Sequence, residues 1–121
     1  MMENPGIMGI KFKIVLVPFP FDDGNHEKVR PAICLTEPTG KYEHIVVAYI
    51  SSQIQEASEP TDIVIDSASE GFIETGLLLS SVIRLHRLMT IPSKNIRREI
   101  GALSAKLQKE VQQKLEQLFF S

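Results

Sequence analysis

The chain has 121 residues, of which 43% are apolar and 23% charged, enough hydrophobic side chain to bury one core and too little charge excess to keep the chain unfolded. Thirteen Lys and Arg against fifteen Asp and Glu leave a formal net charge of -2. This excludes a global basic field for nucleic acid, so any phosphate site must be a local patch. No apolar run reaches the roughly 20 residues of a membrane helix, and the opening MMENPGIMGI lacks a signal-peptide pattern. These features predict a cytoplasmic protein without a membrane partner. The single cysteine, Cys34, lies inside the apolar run AICL; it excludes an internal disulfide and reads as a buried thiol.

In chain order, residues 1–11 are expected to form an N-terminal tail and residues 12–121 a single domain. Ile14 to Val17 is a short β-branched strand, stopped by Pro18-Phe19-Pro20-Phe21, through which no helix can run. The polar stretch Asp22 to Val29 is a surface loop with turn residues Asp-Gly-Asn at its start. Pro31 to Thr36 is the next apolar strand, and Glu37 to Gly40 turns the chain into His44–Ser51 (HIVVAYIS), a strongly β-prone buried run. Gln55 to Pro60 reads as loop, and Thr61 to Asp66 (TDIVID) as a half-buried strand. Leu77 to Ile91 holds either two short strands or one long bent one. Ser104 then caps a helix of about 15 residues in which Leu107, Val111, Leu115 and Leu118 form the inner stripe. Short strands followed by one helix predict a small curled antiparallel sheet or barrel with the helix packed on it.

Much chemistry is excluded by what the sequence lacks. His26, His44 and His86 are scattered, so no metal site is expected. The seven glycines include no phosphate-loop or dinucleotide spacing, so no cofactor is expected. No Gly-x-Ser-x-Gly elbow occurs around the serines. What remains is a set of polar residues at strand ends. Arg30 precedes Pro31, which favours extended backbone there and would hold a guanidinium at a strand start, suited to a phosphate or to plain solvent. Ser51 ends the HIVVAYIS strand. Arg84 and His86 are two apart, so a strand turns them to one face, with a fixed cation beside a group that exchanges protons near neutral pH. A solvated strand face accounts for that pair equally.

The ordered series VLVPFPF, Arg30-Pro31 before AICLT, VVAYISSQ, PTDIVID, GFIETGLLLSSVIRLHRLMTI and IGALSAKLQKEVQQKLEQLF, spanning about residues 13 to 119, resembles the MazF/PemK family of toxins from type II toxin–antitoxin modules. The resemblance implies an SH3-like barrel of the CcdB/PemK type with a C-terminal α-helix. It implies a homodimer that cleaves single-stranded RNA without a metal and is held by a cognate antitoxin, with DNA involved only through that antitoxin. Carried over residue by residue, it makes Arg30 the principal catalytic arginine, Ser51 the catalytic hydroxyl and Arg84 the second arginine. His86 stands where the PemK branch has an aspartate, and is the candidate base or acid. His26 and Lys28 in the loop, with Ser52 and Gln53 after the third strand, are the expected RNA-binding residues. Two departures stand out: Phe12-Lys13 replaces the usual Gly-Asp, and the glutamate-glutamine pair before Arg-Pro is missing. Two alternatives stay open, a non-catalytic SH3-like module that binds RNA or a peptide, and a CcdB-like toxin acting on a protein target through Phe119-Phe120-Ser121.

Overall fold

The computed structural model describes residues 9–18 and 28–121. The described residues build six strands: β1 (Lys13–Pro18), β2 (Val29–Cys34), β3 (His44–Ser51), β4 (Asp62–Ile65), β5 (Ser81–Pro92) and β6 (Arg98–Ala102), followed by helix α1 (Ala105–Phe120). They form one curled, fully antiparallel sheet in the order β4-β5-β3-β2-β1-β6. This is the mainly β architecture with a C-terminal helix that the sequence predicts. Pro31 sits inside β2 opposite Leu16. It lies outside the stretch of β2 that pairs with β3, which begins at Ala32, so its missing N–H breaks no rung on that side.

Period-two alternation divides the apolar residues between two faces. Ile14, Ile33, Ala48, Ile50, Ile63, Ile65, Ile83 and Leu85 pack with Val111 of α1 in one buried cluster. Val15, Val17, Ala32, Cys34, Ile45 and Val47 form the cluster of the opposite face. The Ser104 hydroxyl accepts from Leu107 N–H at 3.3 Å and caps α1, as its position predicts. Lys114 is not simply solvated: its Nζ donates to the Pro60 carbonyl at 2.8 Å, which ties the helix to the loop before β4.

Of the Leu77 to Ile91 segment, residues 77–80 lead in without strand structure and the rest belongs to one long strand, β5 (Ser81–Pro92), with its irregularity in the middle. Tyr49 pairs with Arg84 while Ala48 pairs with Leu88, so Leu85, His86 and Arg87 form a bulge. Such insertions bend a strand and re-aim its side chains. Strand β6 carries no strong apolar alternation and is not distinguished in the sequence; it pairs with β1 through a register shift. Three residues of the expected tail are held in place: Gly9, Ile10 and Lys11 donate their N–H groups to the Glu37 carboxylate at 3.0, 3.0 and 3.4 Å, and Ile10 is buried. Phe12, where the resemblance expects glycine, has φ +68°, the left-handed region that glycine enters without steric cost.

Candidate active site

One register row crosses the sheet. Asp62 of β4 pairs with Arg84 of β5, Arg84 with Tyr49 of β3, Tyr49 with Ala32 of β2, and Ala32 with Val15 of β1. All stand on the face away from the helix, the face of the second core cluster. Continuing the β2–β3 register two residues brings Arg30 level with Ser51, and both line a cavity of about 100 Å³ together with Tyr49, Ile50, Glu56, Arg84 and Arg87. Three residues singled out from the sequence, Arg30, Ser51 and Arg84, thus meet although they come from three different strands.

Their local settings differ. Arg30 is the exposed second residue of β2. The Ser51 oxygen accepts from Gln53 N–H at 3.0 Å, so its own proton remains to donate. Arg84 is 12% exposed at its side chain and donates from Nε to Asp62 Oδ1 at 3.0 Å, with Nη1 3.9 Å from Glu56 Oε1. His86 lies beside this cavity rather than in it, over a neighbouring hollow lined by Tyr49, Arg87, Leu88 and Met89. Its Nδ1 is 3.8 Å from Asp62 Oδ1, so Arg84 and His86 do share one face, as their spacing predicts.

Sequence reasoning alone misses Asp62. Its side chain is 3% exposed, and its second oxygen, Oδ2, accepts from the backbone N–H groups of Ser58 and Glu59 at 2.9 and 3.0 Å. Burial alone would raise its carboxyl; those two N–H groups and the Arg84 guanidinium outweigh burial and hold it below the ordinary aspartate range. A carboxylate therefore reaches Arg84 from β4, while the expected position on β5 holds His86. The alternation in TDIVID already turns Asp62 away from the buried Ile63 and Ile65. What the sequence does not reveal is that β4 lies beside β5.

The remaining expected residues are dispersed. Ser52 lines a separate, mostly apolar cavity of about 290 Å³ that shares Arg30 and adds Leu16, Leu77, Leu79 and Arg98. Gln53 accepts through Oε1 from Gln55 Nε2. Lys28 is exposed just before β2. His26, with most of the loop before Arg30, lies outside the described residues. Among the described residues no group of three or more His, Cys, Asp and Glu is arranged to hold a metal, and no helix is long and apolar enough to cross a membrane.

Comparison with known proteins agrees with this architecture. The family model described as "PemK-like, MazF-like toxin of type II toxin-antitoxin system" matches residues 10–119. No curated protein sequence matches the chain. Among solved structures, the Mycobacterium tuberculosis toxin MazF-mt6 is 22% identical, with a TM-score of 0.66 over 88% of this chain and 95% of that one. A mycobacterial endoribonuclease in complex with its cognate antitoxin is 9% identical, with a TM-score of 0.68 over 93% and 96%. A chain of the MazE–MazF complex of Deinococcus radiodurans is 17% identical, with a TM-score of 0.63 over 91% and 93%. At these identities the likeness to the solved structures is one of fold.

Proposed function

Because the chain belongs to the PemK-like, MazF-like toxins of type II toxin–antitoxin systems, we propose that it is a metal-independent endoribonuclease that cuts single-stranded mRNA at short sequences in the cytoplasm and so arrests growth. One observation carries this reading: three arginines, Arg30, Arg84 and Arg87, line a single cavity with Ser51, and cations beside a hydroxyl are the donors a phosphodiester requires.

Cleavage proceeds by attack of the ribose 2′-oxygen on the adjacent phosphorus. The O2′–P bond forms, the P–O5′ bond breaks, and the products are a 2′,3′-cyclic phosphate and a 5′-hydroxyl. Charge builds on the non-bridging oxygens in the transition state. Arg30 and Arg84 meet it as fixed cations and Ser51 as a neutral donor. His86 takes the 2′-hydroxyl proton as the electron pair of O2′ moves to phosphorus. The leaving O5′ takes up a proton from water. Lys28, Ser52, Gln53 and His26 bind nucleotides that flank the scissile one.

The protein acts as a homodimer, under the control of an antitoxin of the kind present in the mycobacterial and Deinococcus complexes. Three apolar side chains in one segment, Ile73, Leu78 and Leu79, are 87%, 93% and 62% exposed, which supports association with another surface. Sedimentation at micromolar concentration tests this by reporting about twice the chain mass; a monomer contradicts it. Incubation with matched single-stranded and duplex RNA in excess chelator tests the activity. The expected result is cutting of the single strand at a few sites, with cyclic phosphate ends; intact RNA under all conditions refutes the reading.

A further inference from the structure

The described residues that could do acid–base or electrostatic work near the cavity include one carboxylate whose hydrogen bonds are directed at the site and at the backbone that supports it. Asp62 accepts from Ser58 and Glu59 N–H through Oδ2, and from Arg84 Nε through Oδ1. Its side chain is 3% exposed, so it cannot swing into solvent, and the two N–H groups fix its plane. Arg84 is 12% exposed and is gripped on its Nε side. Arg84 lines the cavity with Arg30 and Ser51, and its Nη1 stands 3.9 Å from Oε1 of Glu56, another residue of that lining. The same Oδ1 lies 3.8 Å from His86 Nδ1. With Nδ1 turned toward the carboxylate, Nε2 is the ring nitrogen left to meet a substrate proton.

We propose that Asp62 is the positioning residue of this site: it aims the Arg84 guanidinium at the phosphate and stabilises the imidazolium that forms when His86 accepts a proton. This rests on the reading of the chain as an RNA-cleaving enzyme that uses Arg84 and His86. Asp62 does not touch RNA itself. The charged and titratable groups around it are Arg84 and His86 from β5, Glu56 and Glu59 from the segment before β4, and Lys114 from α1, which reaches the neighbouring Pro60 carbonyl. Glu56 is 55% exposed at its side chain and stands 3.9 Å from Nη1, too far and too solvated to take over the grip on Nε.

The test uses Asp62→Asn, Asp62→Glu and the Arg84→Ala background. In the full-length protein free of RNA, the Arg84 Nε–H resonance should be visible and slow to exchange, and Asp62→Asn should shift it or abolish it. On RNA, Asp62→Asn should lower kcat by roughly 10- to 100-fold, while the affinity for a non-cleavable RNA with a 2′-deoxy scissile residue stays within about threefold. Asp62→Glu, which restores the charge, should recover part of kcat. Placed on Arg84→Ala, Asp62→Asn should cost much less than it does alone, because its main partner is already gone. Unchanged kcat in Asp62→Asn with the Arg84 signal lost overturns the proposal. So does an equal loss of kcat and RNA affinity that adds fully to Arg84→Ala, the signature of a purely structural residue. A parent protein that cuts no RNA refutes the enzymatic reading instead, and the proposal falls with it.

Discussion

Arg84 Nε donates to Asp62 Oδ1 at 3.0 Å across the β4–β5 pair, joining two residues 22 positions apart, the aspartate with a side chain almost fully covered. Removing the carboxylate leaves a largely covered guanidinium and two backbone N–H groups without their acceptor. Asp62→Ala should therefore cost about 2–4 kcal/mol of stability, the range for breaking a buried, hydrogen-bonded charge pair. Urea unfolding at neutral pH measures it.

The same carboxylate makes a pH prediction. Its folded-state pKa lies below the ordinary value, so its contribution is fully present above about pH 4, where an unfolded aspartate is ionised, and is lost as pH falls through the depressed folded value. The gap in Tm between the parent and Asp62→Asn should be constant from pH 7 to about 5 and narrow below about 4. A gap that widens on acidification would contradict the assignment.

Cys34 is fully buried, and burial first, then the negative charges of Glu99 and Glu37, push its thiol up to about 12. The thiolate that reacts with disulfide reagents is thus scarce at any ordinary pH. Native protein should leave a chromogenic disulfide reagent unreacted over an hour at pH 8, and denatured protein should react fully at its one cysteine. Rapid native labelling would mean that the β2 core opens readily.

Two glycines hold the turn before β5 against β6. A Cβ on Gly76, which has φ +73°, would lie 2.0 Å from the Ile100 carbonyl oxygen, and one on Gly101 would lie 2.3 Å from the Thr75 carbonyl. Both contacts are with backbone, which cannot yield as a side chain can. Gly76→Ala and Gly101→Ala should each destabilise by about 3 kcal/mol or more, whereas Gly40→Ala, with φ +82° but open space around it, should cost only about 1 kcal/mol of backbone strain. Thermal melts of the three variants rank them.

Much of this architecture is legible in the residues themselves. The β3 boundaries, the Ser104 cap and the leucine stripe of α1 follow from local rules of alternation and capping, which need no knowledge of distant partners. Arg30 and Ser51 are reachable because each sits at a strand end marked by turn or proline chemistry. Asp62 is not, because its role depends on β4 lying beside β5, and no tight turn joins them to announce the pairing. Arg87 reaches the cavity from a bulge whose position depends on the register with β3. Strand β6 escapes because Arg98 to Ala102 has no apolar alternation and is held by pairing to β1. The Phe12 position carries a different kind of information. An expected glycine is absent, yet the backbone keeps the left-handed turn, with Phe12 packed against the core.

In the proposed mechanism Arg30 supplies the cation for charge developing on a scissile phosphate. This role is tested most directly by the single-turnover rate of single-stranded RNA cleavage in excess chelator, parent against Arg30→Ala, with both proteins shown to melt at similar temperatures. An exposed strand residue should be removable without loss of fold, and losing a preorganised transition-state donor costs about 100- to 1000-fold. The parent should yield cyclic phosphate ends and the variant should show a loss of that size. Arg30→Ala cutting as fast as the parent would contradict that role.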